Sequence, residues 1–215
     1  VVSKSTVFLI DDDPSILAAL QELVGVLGLE SRCFGSAAEF LTNYKANGPG
    51  CLILDVRMPG MSGLDLQKEM AARGIQLPTI VITGFGDVRM AVEAMKAGAI
   101  EFLQKPFRTQ ELCDHIQKAI KLDDVNWRDR QRREQVRQLL AGLTVAEKEV
   151  FEMVVAGKTN RVIADELGLS VRTIEDRRAR MMRKIGAKSR AELLELADAD
   201  GAAPLKGILL QSDQQ

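Results

Sequence analysis

The chain has 215 residues, 46% hydrophobic and 27% charged, with a formal net charge of −1. That balance is ordinary for a globular protein of one or two domains. No apolar run approaches the roughly 20 residues of a membrane span. The start VVSKSTVF lacks the basic region and long apolar core of a signal peptide, so a cytoplasmic protein with no membrane partner is expected.

The first strand is VFLID (7–11). Asp13 and Pro14 follow as helix N-cap and first helical residue, opening a helix over SILAALQELVGVLG. LESRCF is a weak second strand, and SAAEFLTNY opens on a capping box of Ser36 with Glu39. CLILD (51–55) is a nearly all-apolar strand, followed by the helix LDLQKEMAAR. PTIVIT (78–83) is a strand and VRMAVEAMKAG (88–98) a helix ended by Gly98. AIEFLQK (99–105) is the last strand before the helix TQELCDHIQKAIKL. Apolar strands in strict alternation with helices make a parallel sheet covered on both sides.

Ligands of such sheets bind at the carboxyl ends of the strands, near a topological switch point. Here those ends carry Asp11 and Asp12, then Asp55, Thr83 and Lys105-Pro106. With strand order 2-1-3-4-5, Asp11, Asp12 and Asp55 face one pocket. Asp13 is accounted for as a cap, but Asp11 and Asp12 are not. Adjacent carboxylates raise each other's pKa and cost stability unless something positive sits between them. Three carboxylates suit a hard divalent cation such as Mg²⁺. A carboxylate beside that cation, with a hydroxyl (Thr83) and an ammonium (Lys105) at hand, is equipped to take up a phosphoryl group as the nucleophile. The cation, Lys and Thr would stabilise charge on the equatorial oxygens.

The motifs IDDDP (10–14), LDVRMPGMSG (54–63), VITGFGD (81–87) and FLQKPF (102–107) match, in order and spacing, the receiver domain of two-component response regulators. Residues 5–122 resemble that domain, and the resemblance implies a flavodoxin-like fold. It further implies that Asp55 is the phosphoacceptor, that Asp12 is the direct ligand of Mg²⁺ (or Mn²⁺), and that Asp11 acts mostly through water. The backbone carbonyl of Arg57 is the remaining protein ligand, and Thr83 and Lys105 bind the phosphoryl oxygens. Phe102 takes the place of a switch aromatic that is often Tyr; lacking a hydroxyl, it would switch with Thr83 by packing alone. Lys105-Pro106 is expected to be cis, since X-Pro is the one bond where cis costs about 1 kcal/mol or less. Arg57 and Phe85 flank the path of the attacking water, and neither has an obvious water-orienting role. A haloacid-dehalogenase-type phosphatase would want a second Asp two residues after Asp55, where this chain has Arg57. A dinucleotide fold would want a glycine-rich turn where this chain has the acidic DDDPSI.

Residues 122–142 are rich in Arg and Gln and favour a helix, read either as a solvated linker or as a surface that self-associates through Val125, Trp127, Val136 and Leu140. A compact helical pattern follows. LTVAEKEVFEMVVAG has a capping box of Thr144 with Glu147, and TNRVIADELG closes at Gly168. SVRTIEDRRARMMRKIG opens on Ser170 and stops at Gly186, and SRAELLELA pairs Ser189 with Glu192. The tight turn LGLS between the second and third of these four helices signals a helix-turn-helix. Residues 170–190 hold eight Lys/Arg and two Asp/Glu, a balance of +6, against −2 for residues 1–121 and −4 for 191–215. So concentrated a positive stretch in a near-neutral chain points to a polyanion.

In the third helix Ile174, Met181 and Ile185 face inward, and Arg172, Glu175, Asp176 and Ala179 share another face, flanked by Arg178, Arg180, Arg183 and Lys184. One side in a core, one toward base edges and cations for phosphates is the arrangement of a recognition helix. Residues 142–198 resemble the LuxR-type helix-turn-helix domain, and the two domains together look like a regulator of the NarL/FixJ family. In that family the residues after Thr173-Ile174 are often Lys and an apolar residue, where this chain has Glu175 and Asp176. Acidic side chains accept from cytosine N4 and repel phosphate.

The expected architecture is a receiver (1–122), a helical linker (123–142), a LuxR-type DNA-binding domain (143–200) and a tail without motif (201–215). The expected partners are a sensor histidine kinase, double-stranded DNA and a second copy of the chain docked through residues 88–103. The expected protein is not an enzyme beyond its own phosphorylation and dephosphorylation. The rival is a DNA-binding protein that ignores phosphorylation and uses the acidic pocket as a structural Mg²⁺ site. The three scattered cysteines, Cys33, Cys51 and Cys113, read as small buried residues, and His115, alone of its kind, as a surface or packing residue.

Overall fold

The computed structural model describes residues 5–84 and 88–199. Phe85 and the tail 201–215 therefore lie outside the described residues. The chain divides into two compact units, 1–128 and 129–215.

The first unit is a five-stranded parallel sheet in the order β2-β1-β3-β4-β5. Its strands are β1 (Thr6–Ile10), β2 (Glu30–Phe34), β3 (Gly50–Asp55), β4 (Thr79–Thr83) and β5 (Ala99–Gln104). The connecting helices are α1 (Pro14–Val26), α2 (Ala37–Asn43), α3 (Gly63–Ala72) and α4 (Val88–Lys96), and α5 (Thr109–Ala141) follows β5. Alternation within each strand builds the two faces. Val7, Leu9, Cys51, Ile53, Ile80 and Ile82 pack with Leu20 and Val24 of α1 and Leu112 and Ile116 of α5. Phe8, Ile10, Leu52 and Leu54 pack with Phe40 of α2 and Leu66 and Met70 of α3. Each fully buried Leu, Ile or Phe contributes about 1.5–3 kcal/mol of transfer free energy. The sequence assigned all five strands and their order.

The first expected capping box is half made. Ser36 Oγ accepts from the Glu39 N–H, but Glu39 Oε2 accepts from Gly35 N–H at 2.9 Å. The backbone at Ser36 is extended, φ −159° against −69° at the N-cap Thr144, and it brings the preceding N–H under the carboxylate. Ser189 behaves likewise, with Glu192 Oε2 taking the Lys188 N–H at 2.8 Å. The peptide bond Lys105-Pro106 is cis.

The helix α5 is continuous through the Arg- and Gln-rich stretch, 33 residues without a break. Val136 is buried, and Leu140 packs against the C-terminal core. Val125 is exposed. The four residues singled out for self-association thus do not share one free surface.

The second unit continues with α6 (Val145–Val155), α7 (Asn160–Leu167), α8 (Val171–Ile185) and α9 (Arg190–Ala199). Thr144 and Glu147 make the full reciprocal capping box of α6. Gly168 ends α7 at φ +65°, a left-handed conformation that costs a side-chain-bearing residue about 1–2 kcal/mol. The turn it makes leads directly into Ser170, whose Oγ accepts from Thr173 N–H at 3.1 Å and starts α8. Val150, Phe151, Val154, Ile163, Ile174, Met181, Ile185 and Leu193 close the core of this unit.

Candidate functional site

The parallel sheet brings Asp11, Asp55, Thr83 and Lys105 to one edge. Residue 54 of β3 is registered with Ile10 of β1, and Asp55 with Ile82 of β4. Asp11 is 2% exposed and Asp55 6%. The Lys105 ammonium sits between them, with Nζ donating to Asp11 Oδ2 at 3.0 Å and to Asp55 Oδ1 at 3.2 Å. The other carboxylate oxygens take backbone donors: Asp11 Oδ1 accepts from Asp13 N–H at 2.9 Å, and Asp55 Oδ2 from Arg57 N–H at 2.7 Å. Thr83 is fully buried, and its carbonyl accepts from the Lys105 N–H at 2.8 Å. The turn after Asp55 is held tightly. A Cβ on Gly63 would fall 2.3 Å from the Asp55 carbonyl oxygen, so only glycine fits there.

Burial pushes the Asp55 carboxyl above its usual range, aided by the Asp11 charge and opposed by Lys105 and the Arg57 N–H. Burial pulls Lys105 down, but the two carboxylates outweigh it and hold the ammonium above its ordinary pKa. The Lys105 shift follows from one cation facing two anions, and the Asp55 shift from burial that this shared cation only partly offsets. The lysine is doubly paired, and each carboxylate is only half compensated. Asp13 is the N-cap: its carboxylate, lowered by the Ser15 N–H it accepts at 2.8 Å, belongs to α1.

Asp12 is exposed at the rim. Among the described residues, no three His, Cys, Asp or Glu side chains stand close enough together to hold a metal ion as they are arranged. The donor chemistry nevertheless fits a hard cation. The donors are carboxylate oxygens, and the acid-rich pocket carries one ammonium for two buried carboxylates. Phe102 is half-buried and packs against the cluster of Val56, Val81, Ala94 and Ala99.

On α8 the inward residues are Ile174, Met181 and Ile185, as the periodicity requires. Arg172, Glu175, Asp176, Ala179, Arg180 and Arg183 are exposed. The structure draws three of the expected contact residues into other roles. Thr173 joins the N-cap through its hydroxyl, 2.8 Å from Ser170 Oγ. Arg178 Nη1 donates to Asn160 Oδ1 at 2.8 Å, bracing α8 against the start of α7. Lys184 Nζ donates to Glu147 Oε2 at 2.6 Å, tying α8 to the capping box of α6. That ammonium and the Thr144 N–H hold the Glu147 carboxyl down at about 2. The sequence reading passed over Asn160 and Glu147 as partners of α8, because their spacing in the chain carries no sign of the contact.

A 2-1-3-4-5 sheet with an acidic pocket at its carboxyl edge, followed by a helix-turn-helix unit, defines a receiver coupled to a DNA-binding module. A family model of the response regulator receiver domain matches residues 7–117, and one of the luxR family of bacterial regulatory proteins matches residues 141–197. Nodulation protein W of Bradyrhizobium diazoefficiens is 42% identical over 205 residues, covering 93% of this chain and 88% of that protein. Transcriptional regulatory protein FixJ of Azorhizobium caulinodans is 42% identical over 198 residues, 92% of this chain and 94% of that protein. Among solved structures the response regulator StyR matches with a TM-score of 0.79 and 40% identity, covering 91% of this chain and 98% of that one. The chain belongs to the response regulators that join a receiver domain to a luxR-type DNA-binding domain, and it is a transcription regulator of the two-component type. No described helix is long and apolar enough to cross a membrane.

Proposed function

We propose that Asp55 takes a phosphoryl group from the phosphohistidine of a sensor kinase. An Asp55 oxygen forms the new P–O bond as the P–N bond to the kinase breaks. The Lys105 ammonium within reach of both Asp11 and Asp55 is the observation that carries this reading. On arrival of the phosphoryl group Lys105 can exchange its bond to Asp11 for one to a phosphoryl oxygen, and the Thr83 hydroxyl binds another. Mg²⁺ or Mn²⁺, held by the carboxylates of Asp11, Asp12 and Asp55 and the backbone carbonyl of Arg57, would supply charge neutralisation to the transferring group. Asp55, its carboxylate now an acyl phosphate with about one further negative charge and three acceptor oxygens, then biases the packing of Thr83, Phe102 and α4.

That rearrangement promotes a homodimer through residues 88–103. Val88, Val92 and Met95 lie exposed at i, i+4 and i+7 of α4, the spacing of one helix face. The dimer presents two copies of α8 to paired half-sites of double-stranded DNA in the cytoplasm. Arg172, Glu175, Asp176 and Ala179 face the base edges. Arg180 and Arg183 supply cations for phosphates. Thr173, Arg178 and Lys184 fix the helix in place.

The test is incubation with acetyl phosphate and Mg²⁺, followed by intact mass, light scattering and DNA affinity on one sample. The wild type is expected to gain one phosphoryl group, shift toward a dimer and bind DNA more tightly. Asp55→Asn should do none of these. Phosphoryl uptake by Asp55→Asn at the wild-type level would place the acceptor elsewhere.

A further inference from the structure

The outer face of α8 carries an electrostatic contradiction. Ile174, Met181 and Ile185 define its buried side. Directly opposite, at i, i+4, i+7 and i+11, lie Arg172, Asp176, Ala179 and Arg183, with Glu175 at the flank. Asp176 is therefore near the middle of the surface that meets DNA, in the N-terminal half of the helix that approaches base edges. A carboxylate there repels the phosphates that the neighbouring arginines attract.

A local ion pair is the ordinary way to neutralise such a group. Arg172 and Arg180 stand four residues to either side of Asp176, the right spacing for one. Neither makes it. The Arg180 Nε donates to the Asp176 backbone carbonyl at 3.3 Å, and Arg183 Nε to that of Ala179 at 3.4 Å. Among the described residues the Asp176 and Glu175 side chains have no hydrogen-bond or ion-pair partner. Beside Asp176, Ala179 is a single methyl group and leaves space for a base pair to approach.

An ionised carboxylate only accepts hydrogen bonds. The major groove offers it two donors, the N4 amino group of cytosine and the N6 amino group of adenine, and adenine sets its N7 acceptor beside the second. Guanine O6 and N7 and thymine O4 are acceptors that a carboxylate repels. We infer that Asp176 is a specificity-determining residue that reads the N4 amino group of a cytosine, with Glu175 excluding acceptor-rich bases next to it. The inference rests on α8 being the helix that enters the major groove.

The test is selection of a random duplex pool by the full-length protein, with and without acetyl phosphate and Mg²⁺, followed by sequencing of the bound fraction. The wild type should enrich cytosine at one position of each half-site, and a synthetic site with thymine there should bind about tenfold or more weakly. Asp176→Ala should lose that preference while melting at the wild-type temperature. Asp176→Asn should move it toward adenine, because a carboxamide matches the N6 and N7 pair. An unchanged cytosine preference in Asp176→Ala overturns the inference and leaves the DNA-reading helix in place. A wild-type pool with no enriched sequence overturns both.

Discussion

At the scale of single residues, the junction of Glu147 and Lys184 has the clearest consequence. Glu147 is 5% exposed, accepts from Lys184 Nζ at 2.6 Å, and closes the capping box with Thr144. Its carboxyl sits at about 2 in the folded chain, against 4.5 for an ordinary glutamate. As pH falls, the unfolded chain binds this proton first. The contact therefore contributes its full stability above pH 4.5 and loses it between about 4.5 and 2. Thermal melts from pH 6 to pH 2 should show the melting temperature of the C-terminal unit falling across that window. Glu147→Gln, which keeps an acceptor for the Thr144 N–H but cannot ionise, should start lower and fall less steeply. Equal slopes for the two proteins would mean that another carboxylate governs the acid transition.

At the scale of elements, the patterns that sequence can carry are local ones. The two-fold alternation of Val7-Phe8-Leu9-Ile10 and the turn Leu167-Gly168-Leu169-Ser170 are written in neighbouring residues, and the structure has both where the pattern puts them. The acidic pocket is legible for another reason. Strand ends converge in a parallel sheet, so Asp11, Asp55 and Lys105 could be gathered without knowing a distance. What stayed hidden are contacts between residues far apart in the chain. Charge alone cannot tell an Arg180 that faces solvent from an Arg178 that turns back to Asn160. Asp123 is the sharpest case: it lies in the stretch read as linker, yet is 1% exposed. Its Oδ2 accepts the Gly50 N–H at 2.8 Å, across 73 residues. A stretch that reads as polar and solvated thus carries a buried polar anchor, fixing α5 to the strand whose far end bears Asp55. Asp123→Ala leaves that N–H without its acceptor in the core, a loss of about 1–3 kcal/mol. Urea unfolding of the receiver should shift to lower denaturant, and the Gly50 amide should exchange with deuterium faster. Asp123→Asn, which retains a carbonyl oxygen for the bond, should restore much of the protection.

For the whole molecule, the distribution of charge matters more than its sum. The net charge of −1 hides a balance of +6 over residues 170–190. Long-range attraction to DNA is therefore confined to one region, and its strength depends on how many of those cations are free to displace counterions. Lys184 is committed to Glu147, and Arg178 to Asn160. Among the described residues, Arg180 and Arg183 bond only to carbonyls of their own helix, which leaves them available. The dependence of DNA affinity on salt separates these classes, because each phosphate contact contributes about 0.9 to the slope of log affinity against log salt. Arg180→Ala and Arg183→Ala should each lower the slope by about that amount per bound subunit, with melting temperature unchanged. Arg178→Ala should leave the slope near its wild-type value and lower the melting temperature instead, since it frees α8 from the start of α7. A slope reduced as much by Arg178→Ala as by Arg180→Ala would return Arg178 to the phosphate-binding set. Its bond to Asn160 would then be one that breaks when DNA arrives.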